Sequence, residues 1–222
     1  MPGRCLKGCE RIEESVSPEI KLYLKHTIDI FHMYILSFDI GTKNLAYCYS
    51  RDEHIIEWAV LDIHDKDIYL MTDKCLTLLH DTFGSKEIDC VLLENQPAQK
   101  NPKMKSVQMI VFTYFAYKKT VEKTKISKIL FQSANNKNKY AKSLNNDVFE
   151  CKSKYIENKK KAIACAKDLL PTEWLEYFLI HKKKDDLADS YLQMLAYINY
   201  TPVLPKPDSP RSVVSSSSTT ST

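Results

Sequence analysis

From Tyr34 onward the chain alternates short apolar runs with polar breaks, and the length and period of each run predict an element. Tyr34 to Phe38 is largely apolar and ends at Asp39, after which Gly41 turns the chain. Leu45 to Ser50 is a second strand and His54 to Ile63 a third, joined by the polar turn Arg51-Asp52-Glu53. Such short links predict an antiparallel meander. Ile68, Met71, Cys75, Leu78, Leu79 and Phe83 then recur at helical spacing, closed by Gly84. Cys90 to Leu93 has the form of a strand buried on both faces and ends at Glu94. Pro97 and Pro102 precede a helix over 103–119, with Val107, Ile110, Val111, Tyr114 and Phe115 as its stripe. Ile126 to Phe131 is a fifth strand. Ser133 to Asp147, rich in Asn and Lys, reads as a long functional or mobile loop. A basic helix from Lys152 to Leu170 is stopped by Pro171, and helices over Thr172–Ile180 and Asp185–Asn199 follow. The order predicts an α/β domain: a mixed five-stranded sheet, three strands in an antiparallel meander and the rest parallel, flanked by helices.

The ends differ from this core. Residues 1–32 are charged and weakly patterned, with a Ser17-capped helix to Phe31 as one reading, and are expected to be an extension before a domain that starts at Met33. The domain is expected to span 33–200. Residues 201–222, rich in Pro, Ser and Thr, are expected to be a disordered tail. With 222 residues, 44% of them hydrophobic, the chain suits one globular domain plus tails. The net charge of +4 is mild, but lysines concentrate between Lys118 and Lys161, which points to a polyanion. Seven irregularly spaced cysteines read as free thiols in a reducing compartment. No apolar run is long enough for a membrane span, and the N-terminus lacks a signal-peptide core, so a soluble intracellular protein is expected.

The acids carry the candidate chemistry. A carboxylate at the end of a core strand is costly unless something positive pairs with it. A metal ion is the obvious partner for Asp39. If the first and fourth strands are adjacent and parallel, Glu94 stands beside it. Asp186 and Asp189, three apart at a helix start, share a face that can cross the same edge. Clustered carboxylates raise one another's pKa values. Hard divalent cations such as Mg²⁺ relieve that repulsion. Singly, each acid has a plain explanation: the helix dipole favours Asp185, Asp186 and Asp189, and Glu94 can close a turn. The ordered set favours a metal site. Asp39-Ile40-Gly41-Thr42 also matches the first phosphate loop of actin-like ATPases. Those need further glycine-rich loops, and no glycine follows Gly84 here.

Three stretches, Phe38-Asp39-Ile40-Gly41-Thr42-Lys43-Asn44, Leu92-Leu93-Glu94-Asn95-Gln96-Pro97 and Lys182-Lys183-Lys184-Asp185-Asp186-Leu187-Ala188-Asp189-Ser190, resemble the RuvC-like Holliday junction resolvases of the RNase H-like superfamily, and most closely their poxvirus branch. The resemblance spans about Met33 to Asn199. It implies a homodimeric endonuclease with two Mg²⁺ ions per site, replaceable by Mn²⁺, and no nucleotide cofactor. It implies symmetric paired nicks in four-way DNA junctions, used to resolve viral concatemers in the host cytoplasm. Carried over by motif, Asp39, Glu94, Asp186 and Asp189 are the catalytic metal ligands, with Asp186 preferred to Asp185 because it reproduces the Asp-x-x-Asp spacing. A helper lysine is expected upstream of the last acids, with Lys159, Lys160 and Lys161 all open. Lys137, Lys139 and Lys142 are expected to contact DNA phosphates. Tyr140 reads either as a base-stacking ring or as a packed anchor. The alternative function is a non-catalytic junction-binding scaffold of the same fold.

Overall fold

Strand β1 (Tyr34–Ile40) lies at the centre of the molecule, and its alternation of side chains organises two cores. Leu36, Phe38 and Ile40 point to one face of the sheet, and Ile35 and Ser37 point to the other. The computed structural model describes residues 33–144 and 153–199. The expected Ser17–Phe31 helix, the 201–222 tail and the 145–152 stretch lie outside the described residues.

β1 pairs antiparallel with β2 (Asn44–Arg51), which pairs antiparallel with β3 (His54–Asp62). On its other side β1 pairs parallel with β4 (Cys90–Glu94), which pairs parallel with β5 (Lys128–Gln132). The order is β3-β2-β1-β4-β5, so the mixed five-stranded sheet is present. β5 starts two residues later than the apolar pattern suggests. Ile126 is buried but leads into the strand rather than pairing in it.

Helices α1 (Ile68–Phe83) and α2 (Pro102–Thr120) cover one face. Asp67 caps α1 by accepting from the amides of Tyr69 and Leu70, and Asn101 caps α2 by accepting from that of Met104. Beneath them Phe38, Tyr47, Phe83 and Phe115 form an aromatic cluster, with Tyr47 and Phe83 edge-on at 4.8 Å.

The opposite face is covered by α6 (Lys184–Asn199), which is buried from Leu187 to Ala196 except at Asp189. α3 (Ala134–Leu144), α4 (Lys154–Leu169) and α5 (Thr172–Ile180) pack around it. Two polar ties hold α6 in register. Trp58 Nε1 donates to Leu187 O at 3.0 Å and to Ser190 Oγ at 3.2 Å. Gln193 Nε2 donates to Ser37 Oγ at 3.0 Å and Phe38 O at 3.1 Å. Among the described residues, no helix is long and apolar enough to cross a membrane.

α3 corrects the expected Ser133–Asp147 loop. Tyr140 and Ala141 are the apolar residues in the middle of that stretch, so no periodic stripe is legible. They suffice because α3 rests on α4 and α6, and tertiary packing overrides weak local pattern.

Candidate active site

The strand pleat decides which acids meet. Side chains alternate along a strand, so Asp39 shares a face with Ile35 and Ser37, and Glu94 with Cys90 and Leu92. That is the α6 face. Phe38 pairs with Leu93 in parallel register, which brings the next residues, Asp39 and Glu94, to adjacent strand ends. The turn after β1 is tight: a Cβ on Gly41 would lie 2.5 Å from the carbonyl oxygen of Asn44. This turn returns Asn44 to the site, where its Nδ2 donates to Asp186 Oδ2 at 3.2 Å.

The first turn of α6 brings Asp185 and Asp186, and Asp189 follows one turn later. Asp39, Glu94, Asp186 and Asp189 all line one open cleft of about 440 Å³, together with Asp185, Lys43, Lys159 and Lys183. Lys137 stands among them. Its Nζ lies 2.9 Å from Asp189, 3.2 Å from Glu94 and 3.6 Å from Asp39, and its side chain is only 7% exposed. Lys137 is thus a buried residue of the acidic cleft. α3 turns it inward, toward the acids, rather than onto an exposed surface.

Of the lysines expected to help catalysis, Lys159 lines the cleft and Lys160 and Lys161 do not. Lys159 pairs with Asp185 and Lys161 with Glu157 one turn earlier on α4. Lys160 is exposed. The lysine in contact with Asp39, Glu94 and Asp189 comes from α3, a segment whose polar composition hid it. Its signal in the sequence was only its place, upstream of the last acids. Lys139 and Lys142 are on α3 as well, and both are exposed. Tyr140 takes the anchor role: its ring packs against the core and its hydroxyl accepts from Asn199 Nδ2 at 3.4 Å.

The electrostatics show excess negative charge. Burial pushes the Asp39 carboxyl well above its ordinary range; Lys137 opposes this and neighbouring Glu94 reinforces it. Burial also raises Asp189, again against Lys137. Asp186 is pushed up to about 6 by burial and by the charges of Asp185 and Asp39. Asp185 behaves oppositely: burial would raise it, but the Lys159 hydrogen bond and charge bring it below the usual carboxylate value. Burial disfavours the Lys137 ammonium, yet Asp39, Asp189 and Glu94 together hold its pKa above that of a free lysine. One ammonium thus serves three carboxylates.

Among the described residues, no group of three or more His, Cys, Asp or Glu side chains is gathered closely enough to hold a metal ion as it stands. The donor set nevertheless fits a hard divalent cation. It consists of carboxylate oxygens, it is under-neutralised, and Asp39, Glu94 and Asp189 are turned toward one positive charge, the Lys137 ammonium.

The sheet, the crossing helix and the acidic cleft define the class: this is the RNase H-like fold of the Holliday junction resolvases. The yeast mitochondrial resolvase Ydc2 superposes with a TM-score of 0.53 at 19% identity, covering 79% of this chain and 84% of that one. The fowlpox virus resolvase, solved with substrate Holliday junction DNA, gives 0.51 at 19% identity, covering 76% and 98%. The family model described as Poxvirus A22 protein matches residues 33–200, and the chain belongs to that family, the poxvirus resolvases. An uncharacterised protein of Acanthamoeba polyphaga mimivirus is 37% identical over 136 residues, 57% of this chain. The chain spans about a third of that relative's length, 33%.

Proposed function

We propose that this chain is a Mg²⁺-dependent, structure-selective endonuclease that resolves four-way DNA junctions by paired symmetric nicks, and that it acts as a homodimer on viral concatemers at replication sites in the host cytoplasm. The observation that carries the reading is the convergence of β1, β4 and α6 on one cleft, where Asp39, Glu94 and Asp189 surround Lys137. The poxvirus family and the fold shared with a junction-bound resolvase point the same way.

Asp39, Glu94, Asp186 and Asp189 would hold the ions. Bound there, Mg²⁺ supplies an activated water and charge stabilisation at the scissile phosphate. The other residues arrange this donor set. Asn44 holds one oxygen of Asp186, and Lys159 engages Asp185, which leaves Asp186 as the α6 first-turn acid with unmet negative charge. Lys137 is the helper lysine in place of Lys159, Lys160 or Lys161: it neutralises the acids at rest and places an ammonium where phosphate charge arrives. Lys139 and Lys142 remain candidates for phosphate contacts beside the cleft.

The deciding experiment incubates a labelled synthetic four-way junction with protein and Mg²⁺. Paired symmetric nicks that stop on chelation are the expected result. A retarded but uncut junction would instead establish a scaffold. Asp39→Asn is expected to abolish cleavage while leaving junction binding nearly intact, and cleavage by it at the wild-type rate would sink the assignment.

A further inference from the structure

One exposed ring lies at the edge of the cleft. Tyr155 is the only aromatic residue among the described residues that line the cleft. It is 67% exposed, which for a tyrosine in a helical first turn means that packing does not hold it. Its position in α4 gives it company. Tyr155, Asn158 and Lys159 stand at i, i+3 and i+4, so a ring, an amide and an ammonium share one helix face, and all three line the cleft.

The ammonium of Lys159 lies 5.0 Å from the Tyr155 ring centroid while also pairing with Asp185. That contact ties the ring to the first turn of α6, next to Asp186. It holds the ring at the cleft edge while most of the side chain stays exposed to a planar partner. Tyr140, the other aromatic of the polar region, does not compete for this role, because its ring is committed to the core.

We infer that Tyr155 is a base-stacking contact at the mouth of the active site, taking a nucleobase that has lost a stacking neighbour, with Asn158 and Lys159 holding the adjoining backbone. The inference rests on the endonuclease reading and adds a source of structure selectivity to it. In a continuous duplex both faces of each base are covered by neighbouring pairs, so a protein ring finds no partner. At the exchange point of a branched junction that stacking is interrupted. A ring fixed beside the acids rewards only DNA whose bases are open there, and stacking tolerates any sequence because every base has a π-face.

The test places 2-aminopurine at the exchange point of a four-way junction and uses Asp39→Asn protein so that the DNA stays whole. Binding is expected to change the probe's fluorescence with Tyr155 or Tyr155→Phe and not with Tyr155→Ala. With Asp39 intact, Tyr155→Ala is expected to raise KM for the junction by about tenfold, with kcat changed much less, and Tyr155→Phe is expected to restore KM. A probe in the middle of a linear duplex is expected to give no Tyr155-dependent signal. If the wild type cuts junctions while Tyr155→Ala matches it in both fluorescence and KM, the inference fails and the endonuclease reading stands. If Tyr155→Phe is as impaired as Tyr155→Ala, the hydroxyl rather than the ring matters and the stacking claim is overturned. If the wild type neither binds nor cuts junctions, both fall.

Discussion

Lys118 and Lys137 are both buried lysines, 3% and 6% exposed, set at opposite kinds of helix end. Lys118 is in the last turn of α2, where the helix dipole favours a cation. Its ammonium donates to Gly84 O at the end of α1 and to Glu122 Oε2, each at 2.8 Å. Glu122 is 40% exposed, so the pair is half solvated. This lysine fastens two helix ends and has an account complete in terms of stability. Lys137 is in the first turn of α3, where the dipole disfavours a cation. It is held there by three carboxylates delivered by three other elements. A buried charge placed against its own helix, among more opposite charges than it can neutralise, is what a site poised for added positive charge looks like.

The largest effects should separate these two lysines. Lys137→Met removes the cation that contacts Asp39, Glu94 and Asp189, and cleavage is expected to fall on the order of 10²-fold. Thermal stability in chelator should also drop, and added Mg²⁺ should recover more of it than it adds to the wild type, because repelling carboxylates gain most from a cation. Lys118→Met should leave cleavage unchanged and cost about 1–2 kcal/mol through the lost hydrogen bond to Gly84. Junction cleavage and melting curves for the two variants check both claims. Equal losses of activity would break the comparison.

The contrast also explains what was legible in the sequence. Asp39 and Glu94 stood out because each follows a short apolar run bounded by turn signals, the form of a buried strand. Their shared face followed once the strands were adjacent and parallel. Lys137 was hidden because α3 has almost no apolar period, and a lysine among asparagines reads as solvated surface. Its partners are 98, 43 and 52 positions away for Asp39, Glu94 and Asp189 (137−39, 137−94, 189−137), and no local pattern encodes contacts at that range. Asn44 closes the Phe38–Asn44 motif, but its bond to Asp186 depends on how the Gly41 turn meets α6.

A smaller effect should come from Gln193, which is 4% exposed. Its amide bonds to Ser37 and Phe38 link α6 to β1 one residue before Asp39, so it positions Asp189 relative to Asp39 without facing the cleft. Gln193→Leu leaves the Phe38 carbonyl short of a donor and is expected to lower kcat about tenfold, as small misplacements of reacting groups do, with KM for the junction held. Gln193→Asn, which keeps the amide on a shorter chain, should recover part of kcat. A variant that loses stability but keeps kcat would show that the tie serves packing alone.

The smallest effect tests whether a one-to-one pair behaves as the comparison requires. Glu57 on β3 bonds Lys86 and the Tyr47 hydroxyl, away from the cleft. Burial would raise its carboxyl, but those hydrogen bonds and the Lys86 charge bring it below 4.5. The folded state therefore binds its proton less readily than the unfolded chain does. Its contribution to stability is complete above pH 4.5 and is lost as pH falls through the folded value. Asp39 and Asp189 have the opposite sign: their folded forms hold protons more tightly, so without added cation they detract from stability as pH rises above the usual carboxylate range. Because Glu57 is 38% exposed, solvent screening limits its pair to about 0.5 kcal/mol, or about 1–2 °C in Tm. Glu57→Gln should melt that much below the wild type at pH 7 and alongside it at pH 3. A gap that persists at pH 3 would mean that the Glu57 charge is not what stabilises this pair, and that the contrast between singly paired and crowded carboxylates does not hold outside the cleft.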